Sequence, residues 1–316
     1  MSMSWLTYLS AAPVALIMLL RALSLVLPAR LAQQTTFVAF SITAFLFLMI
    51  CASYGVFASL FLRAIGYGGL SQWTVGRAFK WTMWLSTGIT FRVDEAGGRE
   101  EGGRRGGKEA LDTRPAVFVG NHQTELDVLM LGCMFPPYCS VTAKSSLKYT
   151  PFLGQFMALS KTVFIDRANR ATARAAFDGA ANTMRNERQS VFIFTEGTRS
   201  YATEPTLLPF KKGAFHLAVQ AQVPIVPVVT ANYSHVLDMK RKIVRPGVVD
   251  VTVLPAIPTT GMTAADVDGL VERTRNAMMD ELIRLSHVSG SKEGNGVPLP
   301  RASGVEEIRK ELRQRN

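Results

Sequence analysis

Apolar positions are concentrated at the start of this chain and periodic afterwards, and the two patterns predict different structures. Residues 31–62 carry no charged side chain and 37–61 are almost wholly apolar, longer than the roughly 20 residues that cross a hydrocarbon core. The spacing predicts a membrane-spanning helix there. Residues 5–27 are also apolar but contain Pro13 and Arg21, so they are expected to span with Arg21 reaching an interface, or to be re-entrant. A cleaved signal peptide needs a basic start, which residues 1–10 lack. Residues 73–91 mix Trp73, Trp81 and Trp84 with Arg77 and Lys80, the pattern of a headgroup-level helix or of an ordinary packed one.

Residues 96–110 read AGGREEGGRRGGKEA, too rich in glycine and charge to bury a face, and predict a disordered loop that separates a membrane part, 1–95, from a second unit, 111–285. Within that unit, short β-rich runs at 116–119, 163–165, 191–194, 225–230 and 248–254 alternate with helical patterns at 126–134, 168–188, 213–222 and 264–285. The alternation predicts an α/β fold: a mixed sheet covered by helices, preceded by an N-terminal transmembrane or interfacial helical region. Residues 286–316 are polar and glycine-containing, and predict a flexible tail.

Charge sharpens the membrane assignment. The chain of 316 residues has a net charge of +11 and 48% hydrophobic residues, with a mean hydropathy of +0.16. Its first acidic residue is Asp94, and Arg63, Arg77, Lys80 and Arg92 all lie between the apolar run and it. The positive-inside rule therefore puts everything after residue 62 on the cytosolic side. No basic run with interleaved aromatics points to nucleic acid; anionic lipid and a phosphorylated substrate account for the charge. Cys51, Cys133 and Cys139 have neither metal-ligand nor disulfide spacing.

Two strand-to-turn junctions carry candidate chemistry. In the first, 117–127, an apolar run stops at Gly120 and is followed by Asn121, His122 and then Asp127. Thr124 to Asp127 fit a capping box, with Thr124 as N-cap and Asp127 at the third helical position. A first-turn carboxylate reaches back toward a histidine that precedes the cap, giving a general base whose tautomer the aspartate fixes. No G-x-S-x-G elbow occurs and no cysteine neighbours a histidine in sequence, so the pattern favours direct attack by a substrate hydroxyl on an already activated acyl donor. In the second junction, 191–200, Gly197 permits close backbone approach to a ligand and Arg199 offers a planar fork for phosphate. Glu196 is expected either to hold Arg199 or to bind a glycerol hydroxyl. Lys211, ahead of a helix, is a candidate for CoA phosphates or anionic headgroups, or is a solvated turn. His216 and His235 are expected to be structural.

Asn121-His-x-x-x-x-Asp127, Phe164-Ile-Asp-Arg167, Thr195-Glu-Gly-Thr-Arg-Ser200 and Val223-Pro-Ile-Val-Pro-Val228 stand in the order of the four glycerolipid acyltransferase blocks. Over roughly residues 112 to 260 the chain resembles the 1-acyl-sn-glycerol-3-phosphate acyltransferase family of the PlsC type. The resemblance implies His122 as base and Asp127 as its partner. It places Arg167, Glu196, Gly197, Thr198 and Arg199 around the lysophospholipid phosphate and glycerol, and has Pro227 shape the acyl side. Lysophosphatidic acid and acyl-CoA are the implied substrates and phosphatidic acid the product, with no cofactor or metal. The membrane is the implied home, the endoplasmic reticulum for a eukaryotic chain. Two positions depart from the family pattern: Thr195 replaces a proline, and Lys161 stands where a small residue is usual. Rival expectations are the same chemistry on glycerol 3-phosphate or another lysophospholipid, a hydrolase using water, and a non-catalytic membrane lipid-binding protein.

Overall fold

The computed structural model describes residues 5–94, 106–166 and 168–292. Helices α1 (Trp5–Val26) and α2 (Ala29–Ala64) pair across a two-residue turn at Pro28, which opens α2 with a fixed φ and no N–H to satisfy. One side of α2 buries small residues, Ala39, Thr43, Cys51, Ala52, Gly55 and Ser59. The opposite side exposes Val38, Phe45, Ile50, Phe57 and Phe61. Small residues let neighbours approach closely: a Cβ on Gly55 would lie 2.5 Å from the Phe156 ring.

Helix α3 (Ser71–Thr87) folds back along α2 and stops at Gly88, whose φ of 69° is left-handed. Residues 73–91 are thus not one helix, because the segment after Gly88 forms strand β1 (Ile89–Val93). Val75, Phe79 and Met83 of α3 face inward, while Trp81, Trp84 and Leu85 face out.

The remainder runs α4 (Gly107–Leu111), β2 (Val117–Gly120), α5 (Asp127–Met134), β3 (Cys139–Lys144), α6 (Leu153–Leu159), β4 (Val163–Ile165), α7 (Arg170–Glu187), β5 (Ser190–Phe194), α8 (Gly213–Ala221), β6 (Ile225–Thr230), β7 (Leu237–Asp238), β8 (Ile243–Val244), β9 (Gly247–Val253) and α9 (Val267–Lys292). The seven-stranded sheet has the order β1-β9-β6-β2-β5-β3-β4, with β6–β9 its one antiparallel pairing. This is the expected mixed α/β sheet. Its central strands β2, β5 and β6 are buried almost throughout, as strands between two helical layers require.

Several elements and boundaries differ from the sequence-based expectation, among them helix α6 and strands β7 and β8, which were not expected. Strand β3 was not expected: Cys-Ser-Val-Thr-Ala-Lys does alternate apolar and polar positions, but its apolar members Cys139, Val141 and Ala143 are small and give a weak strand signal. Residues 107–110 form α4 with Ala110 buried rather than continuing a loop, and 95–105 lie outside the described residues. Helix α9 runs on to Lys292, and 293–316 lie outside the described residues.

Helix α2 also sits differently from a helix that leaves the α/β unit behind. Near its start, Gln33 Nε2 donates to the Arg241 carbonyl at 2.7 Å; past its end, Gln189 Nε2 donates to the Gly69 carbonyl at 3.3 Å. The same α/β unit touches both ends.

Candidate active site

The carboxyl ends of β2, β5 and β6 meet in register, with Gly120 opposite Phe194 on one side and Val228 on the other. Strand β2 ends at Gly120, where a Cβ would lie 2.7 Å from the Phe192 ring, and the chain turns. Asn121 fastens the turn to β6, donating from Nδ2 to the Thr230 carbonyl at 3.0 Å and accepting from Thr230 N at 2.9 Å. Gln123 Nε2 donates to the carbonyls of Thr230 and Ala231.

Asp127 opens α5 and is 1% exposed. Its Oδ2 accepts from His122 Nδ1 at 2.7 Å, Gln123 N at 2.6 Å and Thr124 N at 3.2 Å, and its Oδ1 accepts from Tyr233 Oη at 2.7 Å. The capping box expected with Thr124 as N-cap does not form: Leu126 is the N-cap, without a side-chain cap bond, and Asp127 is the first helical residue rather than the third, although Asp127 accepts from Thr124 N and Thr124 Oγ1 accepts from Leu126 N at 3.1 Å. With the carboxylate as acceptor, His122 is the donor in this pair through Nδ1, and its Nε2 is the ring nitrogen not engaged by Asp127. Its ring stacks on Phe194 with centroids 4.1 Å apart, and its side chain is 17% exposed. Tyr233 is fully buried, and burial followed by the Asp127 charge pushes its phenol well above the usual range, so it stays a donor.

The second turn departs from both expectations for Glu196. The carboxylate is 2% exposed, and it neither pairs with Arg199 nor lines the cavity described below. Its Oε1 accepts from His122 N at 2.7 Å and its Oε2 from Leu208 N at 2.8 Å, tying the two turns together. Burial raises its pKa, and those two N–H bonds oppose the rise. Arg199 instead donates from Nη1 to Glu125 Oε1 at 2.9 Å, and Tyr201 Oη donates to the same oxygen at 2.7 Å. Arg199 Nε and Thr195 Oγ1 are buried without a partner among the described residues.

Gly197 has a φ of 71°, a conformation that favours glycine, and a Cβ there would come within 3.3 Å of the Lys211 side chain. Lys211 N donates to the Thr195 carbonyl at 2.7 Å and its side chain is exposed beside the turn. Arg167 lies outside the described residues. Pro227 is buried in β6 opposite Val119, accepts at its carbonyl from Leu254 N, and does not line the cavity described next. Pro227, expected to shape the acyl side, is thus not among the residues that line that cavity. His216 is exposed on α8 and His235 is half-buried; neither lines the cavity.

A cavity of about 530 Å³ runs from this junction between α2, α3, α5, β3 and α6. Leu48, Ala52, Val75, Phe79, Leu131 and Phe156 give it apolar walls, and His122, Thr198, Arg199, Tyr201 and Lys144 mark its polar parts. Sequence reasoning missed Tyr233, Glu125, Tyr201 and Lys144. Only Glu125 and Tyr201 lay inside or beside the quoted motifs; Tyr233 and Lys144 had no local signal.

The Acyltransferase family model matches residues 104–231. The 1-acyl-sn-glycerol-3-phosphate acyltransferase of Saccharomyces cerevisiae is 41% identical over 237 residues, spanning 75% of this chain and 74% of that protein. The 1-acyl-sn-glycerol-3-phosphate acyltransferase beta of Homo sapiens is 42% identical over 189 residues, 59% of this chain and 67% of that one. Among solved structures, the 1-acyl-sn-glycerophosphate (LPA) acyltransferase PlsC of Thermotoga maritima aligns with a TM-score of 0.57 at 22% identity, covering 78% of this chain and 94% of that one. That likeness is one of fold.

Proposed function

The chain belongs to the 1-acyl-sn-glycerol-3-phosphate acyltransferase family, and from that premise we propose that it acylates the sn-2 hydroxyl of lysophosphatidic acid from acyl-CoA, giving phosphatidic acid. The observation that carries the reading is the position of His122 between the apolar cavity and the turn bearing Thr198 and Arg199. An acyl chain fills the cavity, and the phosphate of the acceptor sits at Arg199, with Arg167 a second candidate. A phosphate oxygen would give the buried Arg199 Nε the partner it lacks. Lys211, beside Gly197, is placed for the CoA phosphates or an anionic headgroup.

In the proposed steps His122 Nε2 takes the hydroxyl proton as the oxygen attacks the thioester carbonyl, and Asp127 offsets the imidazolium charge. The tetrahedral intermediate expels the CoA sulfur, which takes the proton back from His122. One ester forms, one thioester breaks, and no resident cofactor or metal enters. Glu196 is a positioning residue that fixes the His122 backbone.

Membrane association follows from the apolar α1–α2 pair. Because the α/β unit touches both ends of α2, a helix of about 54 Å at 1.5 Å per residue, the pair lies along one leaflet on the cytosolic face rather than crossing it. Cysteines at Gln34 and Ile65 should then react with an impermeant thiol reagent from the same side of sealed vesicles. Catalysis is tested with reconstituted protein, labelled acyl-CoA and a panel of acceptors: lysophosphatidic acid, glycerol 3-phosphate and lysophosphatidylcholine. Faster use of another acceptor would overturn the substrate assignment, and binding without turnover would favour a lipid-binding role.

A further inference from the structure

The β7–β8 hairpin plays no part in the proposed chemistry, yet it carries Lys240, Arg241, Lys242 and Arg245, all exposed. Asp238 is the one acidic residue in 231–249, and it is buried and committed to the turn. Its Oδ1 accepts from Lys240 N at 2.9 Å and Arg241 N at 2.8 Å, and its Oδ2 comes only within 3.8 Å of Arg241 Nε. Lys242, with a φ of 55°, completes the turn. The side chains of Lys240, Lys242 and Arg245 make no hydrogen bond or ion pair among the described residues.

The place of this hairpin gives the charge a purpose. The Gln33–Arg241 hydrogen bond fastens it to the first turns of α2, one turn beyond the exposed Arg30. At the same end, Leu25, Val26 and Leu31 are exposed. Helix α2 itself contains no acidic residue, so nothing on it neutralises the cluster. A cationic tip beside an apolar surface has the chemistry of a headgroup layer above acyl chains, where basic side chains find phosphates and lipid-facing side chains find hydrocarbon. Nucleic acid or an acidic protein would match the charge but not the adjoining apolar face.

We propose that the β7–β8 hairpin, with Arg30, is an anionic-lipid contact that grips the headgroups of the leaflet in which α1 and α2 lie. The proposal rests on the membrane placement above and not on the catalytic steps. Its test uses the full-length protein in vesicles containing a pyrene-labelled lipid, either phosphatidylserine or phosphatidylcholine, at equal fraction. Trp84 is a native energy donor near this end, since the neighbouring Ser86 carbonyl accepts from Arg21 of α1. Wild type should transfer more energy to the anionic probe. Lys240→Gln/Lys242→Gln/Arg245→Gln should lose that preference, each charge removed lowering local enrichment by up to about fivefold, while its transferase activity in detergent micelles is unchanged. Lys240→Arg/Lys242→Arg should keep the preference. Equal transfer to both probes by wild type, or an undiminished preference in the glutamine variant, overturns the hairpin contact alone. Failure of the protein to float with the vesicles overturns the membrane placement as well.

Discussion

The turns after β2 and β5 begin alike, each an apolar strand running into a polar bend at the same edge of the sheet, but they end in opposite states. In the β2 turn both carboxylate oxygens of Asp127 are engaged, and Asn121 and Gln123 are bonded to β6. In the β5 turn Arg199 is paired with a partly exposed Glu125 while its Nε and Thr195 Oγ1 have no partner among the described residues. The first turn is complete without a ligand and holds one side chain, His122, in one orientation. The second leaves Arg199 Nε without a partner among the described residues, the atom to which the proposed acceptor phosphate would bind. Preorganisation suits proton transfer, and an unsatisfied fork suits recognition. Glu196 couples the two by holding the His122 backbone from the β5 side.

Removing the group that the closed turn orients should have the largest effect. His122→Ala is expected to lower kcat by about 10²–10⁴-fold with expression and membrane insertion unchanged; activity above half of wild type would falsify the general-base role. In the open turn, Arg199→Lys keeps the charge but loses the fork. It should weaken use of lysophosphatidic acid by about 1.5–3 kcal/mol with little change in the acyl-CoA KM, and a defect confined to acyl-CoA would move Arg199 to the donor side.

Tyr233→Phe separates positioning from contact, since Tyr233 touches Asp127 and not the cavity. Loss of one donor to a buried carboxylate should cost about 1–3 kcal/mol of stability, read from denaturant unfolding in detergent, and lower kcat while both KM values hold. Unchanged kcat would show that the backbone donors alone orient Asp127.

The smallest effect concerns Glu196, whose folded pKa is raised by burial. Its native state then binds more protons than the unfolded chain. That contribution to stability is complete below the ordinary glutamate range and is lost as pH rises through the raised value. Melting across the acid range should therefore show wild type losing stability relative to Glu196→Gln as pH increases, and parallel curves would refute the coupling.

How much of this was legible in the sequence depended on distance along the chain. His122 and Asp127 are five residues apart, so a strand ending at Gly120 and a helix opening at Asp127 suffice to join them. The apolar strands and amphipathic helices of the sheet were legible for the same local reason. Strand β3 was not, because its alternating apolar positions, Cys139, Val141 and Ala143, are small and signal a strand weakly, and Lys144 at its end went unnoticed with it. Glu196 was visible, but its partner was not: 74 residues separate it from His122, and only the pairing of β2 with β5 brings them together.

By itself, then, the sequence determined the central strands and the longer helices of the sheet, the His122–Asp127 pair and the apolar character of 31–62, all of which follow from spacing over a few residues. The tertiary structure decided that Tyr233 completes Asp127 across a separation of 106 residues, that Glu125 rather than Glu196 pairs with Arg199, and that α2 lies against the α/β unit at both ends. Those contacts depend on strand order and helix packing, where free energy is set by which surfaces meet in three dimensions rather than by which residues are neighbours along the chain.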